Sequence, residues 1–185
     1  MRAHIAGFVI MAALAAPLGA QQQAGPVIQG GGTHAPVPNA TFEVPRGQAY
    51  KVVWNIQVGA PKPGEANDAF NVPARFVNQG AVLGLPRESV EVAVVVHGTA
   101  GEELLDNEEY RTRKGVDNPN IALLEEMSRA GVRIILCGQT AANRKMPRGH
   151  VLPFVEVAPS AAWAFATLTR QGYAPGLHGQ PVLGG

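Results

Sequence analysis

The most constraining stretch of this 185-residue chain is Glu91-Val92-Ala93-Val94-Val95-Val96. After Glu91 it offers no polar position at every second residue, so it cannot serve as a strand with one wet face. A near-continuous β-branched run of this length belongs in a sheet covered on both sides, the usual setting of parallel strands. Its neighbours fit that setting. Tyr50-Lys51-Val52-Val53-Trp54-Asn55-Ile56 reads as a first strand, Val132-Arg133-Ile134-Ile135-Leu136 as a third and Phe154-Val155-Glu156-Val157 as a fourth, with Tyr173-Ala174 as a short last one.

Helical patterns separate them. Asn67 or Asp68 can cap a helix toward Leu83, and Glu102–Leu105 reads as one or two helical turns. Asp106–Lys114 is a mixed-charge, exposed stretch. Asn118 stands at an N-cap and Pro119 at a first helical position. Ile121, Leu123, Leu124 and Met127 then form a broad apolar face, and Gly131 ends that helix. A short helix over Gln139–Lys145 follows the third strand. Ser160 caps a final helix, Ala161–Gln171, which Gly172 stops. Strands alternating with helices predict an α/β three-layer sandwich with a mostly parallel, about five-stranded sheet and right-handed crossovers.

The ends read differently. Met1–Ala20 has a short basic start at Arg2, an apolar run Ile5–Leu14 and small residues up to Ala20, the layout of a secretory signal peptide. The run is too short to span a bilayer. The mature chain is therefore expected in the periplasm and free of the membrane. Residues 21–46 hold Gly30-Gly31-Gly32 and four prolines, and are expected as a flexible Gly/Pro-rich arm. The domain is expected over 47–175, followed by a flexible tail, 176–185.

Composition narrows the function. Fifteen Lys+Arg against 14 Asp+Glu give a formal charge of +1, which excludes a strongly basic nucleic-acid binder. A single cysteine excludes an internal disulfide and a Cys-based zinc cluster. Phosphate-loop, dinucleotide, zinc-protease and serine-hydrolase motifs are missing, and neither cofactor nor metal is expected.

In an open α/β sheet, ligands bind beyond the carboxyl ends of the strands. His97 follows Val94-Val95-Val96, and Cys137 follows Ile134-Ile135-Leu136; each precedes a glycine, Gly98 or Gly138. Parallel strands would open both onto one rim, with Asn55 beside them. A thiol ahead of a helix N-terminus has a lowered pKa, and a nearby imidazole would add to the effect. Cys137 thus reads as a catalytic nucleophile or sulfur carrier, with His97, Gly98, Gly138, Gln139, Thr140 and Asn55 as binding residues. The alternative is that Cys137 is a small packed residue and His97 a structural hydrogen-bonding one. His150, after Arg144, Lys145 and Arg148, lies in a basic loop that fits either an anion or plain solvent.

The run from Val94-Val95-Val96-His97-Gly98 through Asn118-Pro119-Asn120, Gly131-Val132, Cys137-Gly138-Gln139-Thr140, Pro159-Ser160-Ala161 and Gln171-Gly172-Tyr173 resembles the DsrE/DsrF-like family of small sulfur-relay proteins. It looks closest to their exported single-domain branch. The resemblance implies a five-stranded, mainly parallel sheet between helices, assembled as a trimer or hexamer. It also implies a cysteine, here Cys137, that carries sulfur as a persulfide to or from a donor or acceptor protein or a small thiol. The competing reading is a non-enzymatic, homo-oligomeric binding or assembly module.

Overall fold

The computed structural model describes residues 21–176. The proposed signal segment and the tail from residue 177, including His178, lie outside them. Five parallel strands form one sheet: β1 Tyr50–Ile56, β2 Val90–Val96, β3 Arg133–Cys137, β4 Glu156–Ala158 and β5 Ala174–Pro175. Their spatial order is β4-β3-β2-β1-β5. Five helices connect them: α1 Asn71–Val82, α2 Asn107–Lys114, α3 Ile121–Arg129, α4 Gly138–Asn143 and α5 Ala161–Arg170.

That order fixes which face each helix covers. From β1 to β4 the chain steps in one direction along the sheet, so right-handed crossovers put α1 to α4 on one face. Only the return from β4 to β5 runs the other way and carries α5 to the opposite face. The packing follows this rule. Trp54, Ile56, Val92, Val94, Val96, Ile134 and Leu136 meet α1 and α3 in the larger core, with Phe70, Val77, Leu124 and Met127. Val53, Ala93, Val95 and Ile135 meet Ala164 and Leu168 of α5, and Tyr173, in the smaller one. β2 feeds both cores, which is why its sequence shows no alternation. Each large aliphatic side chain so buried contributes about 1.5–3 kcal/mol.

The structure refines two local expectations. The mixed-charge stretch Asp106–Lys114 carries α2: Asp106 caps the Glu109 N–H at 2.9 Å, and Gly115 closes the helix in the left-handed region. Acidic residues in its first turn and basic ones in its last suit the helix dipole. Asn118 does not cap α3. Its amide donates to the Glu103 and Leu105 carbonyls at 2.8 and 2.6 Å, and its oxygen accepts from the Asn120 N–H at 3.0 Å. Two buried carbonyls near the end of the 3-10 segment Gly98–Leu104 need donors more than a helix start does.

The first part of the Gly/Pro-rich arm is also not free of the core. Ile28 is fully buried. Asn78 of α1 accepts from the Ile28 N–H at 2.8 Å and donates to the Ile28 carbonyl at 2.9 Å, and its amide also reaches the Gly31 and Gly32 carbonyls. Gly32 has φ +64°, and a Cβ there would sit 2.5 Å from the Ala74 backbone. The glycines let backbone lie directly on a helix, so a segment with few apolar side chains still docks.

Candidate functional site

The strand ladder sets the geometry of the rim. Val96 pairs with Leu136, so His97 and Cys137 are the next residues on neighbouring strands, about 5 Å apart across the sheet. Alternation puts Asn55, His97 and Cys137 on the α5 face, in phase with Val53, Val95 and Ile135. His97 keeps extended backbone (φ −151°), so the alternation carries through to it. Its Nε2–H donates to Asn55 Oδ1 at 2.7 Å. The three side chains expected at one rim are thus on one face of it.

Cys137 occupies a special place on this rim. After β3 the chain leaves toward the first face through α4; after β4 it leaves toward the second through α5. A crevice opens where neighbouring strands send their helices to opposite sides. Cys137, paired with Ala158 of β4, lies at its base. The amino ends of α4 and α5 flank it. The backbone N–H groups of Thr140, Ala161 and Gln139 and the Thr140 hydroxyl lie close to the thiol and favour its ionised form. Burial pushes the thiol up, since only 5% of the residue is exposed; the four donors outweigh burial and hold it below the ordinary thiol range.

The supporting residues explain themselves locally. Gly98 has φ +58°, and a Cβ there would meet the Gln57 carbonyl oxygen at 2.6 Å. Its N–H donates to Thr140 Oγ1 at 3.1 Å, tying the exit from β2 to the first turn of α4. A Cβ on Gly138 would lie 2.6 Å from the Ala158 carbonyl oxygen, so glycine allows β3 to turn into α4 against β4. Gln139 reaches the Pro159 carbonyl at 3.4 Å, across the crevice. Ser160 accepts from the Trp163 N–H at 3.2 Å and so starts α5 at the correct place to aim Ala161 at the sulfur.

One expectation is corrected. The imidazole does not add positive charge to the thiol: burial holds His97 below its ordinary value, leaving it neutral near pH 7. Backbone amides and the Thr140 hydroxyl do the work that was assigned partly to His97. The Ala161 amide was missed, because nothing in a sequence brings the start of α5 beside the end of β3. His150 of the basic loop pairs with Asp106 at 2.9 Å, which raises its pKa. Among the described residues no group of three or more His, Cys, Asp or Glu could hold a metal.

A model of the DsrE/DsrF-like family matches residues 64–174, more than half of the sequence. The chain belongs to the DsrE/DsrF-like family. The match runs from the loop before α1 to the start of β5 and so contains Cys137, His97 and the crevice, while Asn55 and the docked arm lie before it. A solved structure of a protein of unknown function from Methanobacterium thermoautotrophicum is 22% identical, with a TM-score of 0.48, covering 68% of this chain and 96% of that one. No curated protein matches.

The family member's polar interior extends beyond the rim. Glu103 is buried, and its carboxylate accepts from the Ala60 N–H and the Asn67 amide, both at 2.6 Å. Asn120 Oδ1 accepts from the Asn67 N–H at 2.7 Å. Scattered along the sequence, these residues carry no spacing that would have paired them.

Proposed function

We propose that this DsrE/DsrF-like chain handles sulfane sulfur, with Cys137 as the carrier, in the periplasm after removal of the signal segment. The observation that carries the proposal is a shielded thiol at the end of β3, paired with β4, whose neighbouring backbone N–H groups and Thr140 hydroxyl favour its ionised form. Family membership supports a sulfur-relay role.

Chemically, the Cys137 thiolate attacks the outer sulfur of a donor persulfide. The donor S–S bond breaks, the donor leaves as thiolate, and Cys137 becomes a persulfide. A second, external thiolate then takes the outer sulfur and restores Cys137. The steps are thiol–persulfide exchanges and need no oxidant. The amides stabilise negative charge on either sulfur, as preorganised donors do for other anions. The chain has one cysteine, so release requires an outside thiol, on a partner protein or a small molecule. Neutral His97, with Nε2–H given to Asn55, keeps its Nδ1 lone pair free to accept a proton from an incoming thiol.

The test is intact-mass measurement of the mature protein after incubation with inorganic polysulfide. The expected product gains one sulfur atom, loses it to a thiol reductant, and is not formed by Cys137→Ser. No adduct on the folded wild-type protein, together with a thiol that titrates as an ordinary one, would leave Cys137 as a packed residue of a binding or assembly module.

A further inference from the structure

On the other side of the sheet from Cys137 lies a cavity of ≈ 380 Å³, between the loop after β1 and the segment that follows β2. That is within the usual size of small-ligand sites. Val58, Pro61 and Pro63 form its apolar wall; its charged and polar members are Lys62, Thr99, Glu102, Glu103, Tyr110 and Lys114. Two of these are unusual. Glu103 is 3% exposed and Tyr110 is 2% exposed, yet both line the space.

Glu103 is bonded only to neutral donors, Ala60 N–H and the Asn67 amide. The cations nearby are engaged elsewhere: Lys114 binds Glu102 at 2.6 Å, Arg113 and Arg144 approach the same carboxylate at 3.4 and 3.3 Å, and Lys62 pairs with Glu65 at 3.3 Å. Among the described residues, no cation pairs with Glu103. A buried carboxylate without a counter-ion is costly unless it protonates or meets a positive charge. Tyr110 lines the cavity, and its hydroxyl has no hydrogen-bond partner among the described residues. Each Glu103 oxygen keeps a free lone pair, and the phenol and Thr99 oxygens add further acceptors.

The geometry points to a second binding site here, for a small primary alkylammonium. Its –NH3+ brings three donors and no acceptor to Glu103, Tyr110 and Thr99, and its aliphatic body lies on Val58 and the two prolines. An anion would face Glu103, and a neutral molecule would leave that charge unpaired. The site is independent of sulfur chemistry at Cys137.

The experiment titrates the full mature protein with n-butylammonium chloride, butan-1-ol and sodium butyrate, by calorimetry and by 15N amide shifts. Butylammonium is expected to saturate, shifting Ala60, Thr99, Glu103 and Tyr110 amides. Butanol should bind at least about tenfold more weakly, the effect of losing one charged hydrogen bond of roughly 1.4 kcal/mol, and butyrate should not bind. Glu103→Gln, if its circular dichroism is native, should weaken butylammonium at least about tenfold by the same reasoning. Tyr110→Phe leaves the Glu103 bonds in place and should weaken it about two- to tenfold. Cys137→Ser should bind like wild type. Equal binding of butanol, shifts elsewhere in the chain, or unchanged affinity in either folded variant overturns the assignment.

Discussion

Replacing Thr140 by Val is the sharpest probe of how the crevice treats its sulfur. The two side chains have the same shape, so the change removes a hydroxyl and little volume. Two effects go with it: the hydroxyl's influence on the neighbouring Cys137 thiol, whose ionised form it favours, and its acceptance from the Gly98 N–H at 3.1 Å. A hydrogen bond to a charged group is worth about 1.5–3 kcal/mol. The three amides remain and Thr140 is not wholly sealed, so the lower end applies. A loss of about 1.4 kcal/mol corresponds to roughly tenfold less thiolate at a given pH. The sign is fixed: a donor to the thiolate lowers the thiol pKa, so its removal raises it. The Gly98 N–H loses its acceptor, which costs about 1–3 kcal/mol of stability. The assay is the pH dependence of iodoacetamide alkylation of the single cysteine, alongside urea unfolding of both proteins. The variant's alkylation curve should shift to higher pH. An unchanged curve, in a variant that is folded and measurably less stable, would show that Thr140 holds Gly98 but does not tune the sulfur.

Two other outcomes follow from the same structure. His97 is held below its ordinary value by burial, so the unfolded chain binds a proton that the folded chain refuses. This contribution to stability is complete above the unfolded value, about 6.5, and is lost as pH falls from there through the folded value. An NMR titration finding His97 protonated at or above the ordinary range would contradict it. Asn78→Ala removes the acceptor for the Ile28 N–H and the donor for the Ile28, Gly31 and Gly32 carbonyls. The loss should be at least about 3 kcal/mol, with new proteolytic cuts between residues 25 and 34. A loss under about 1 kcal/mol with no new cuts would mean that the docked arm is held by something else.

The positions of the strands were legible because their residue types have few alternatives. Tyr50–Ile56 is a strand over the same seven residues that its β-branched and aromatic content marks. The solid apolar run at 92–96 foretold a two-faced, parallel setting. The glycines after His97 and Cys137 marked sharp exits, and their contacts show why no Cβ is tolerated there. The helix within Asp106–Lys114 was not legible because six of its nine side chains are charged and it shows no apolar face. Its helix rests on a cap, a left-handed glycine and a well-ordered dipole, with Tyr110 as the only buried side chain. The docking of Ile28 was not legible because the attachment uses backbone groups, which have no hydropathy.

The sequence alone thus determined the α/β class, the ends of the first three strands to within a residue and the residues that stand on the rim, since each depends on local residue type and on neighbours a few positions away. What surrounds Cys137 was decided by the fold. The return of the chain from β4 to β5 sends α5 to the second face, opens the crevice beside β3 and brings the Ala161 amide to a sulfur 24 positions earlier in the sequence. The same is true of Glu103, which is an ordinary surface-type residue by composition. It is buried because Ala60 and Asn67, from the loop after β1, and Tyr110, from α2, converge on it. Local patterns encode the parts, but the environment of a charge or a thiol is a sum over neighbours in space, and only the tertiary structure assembles them.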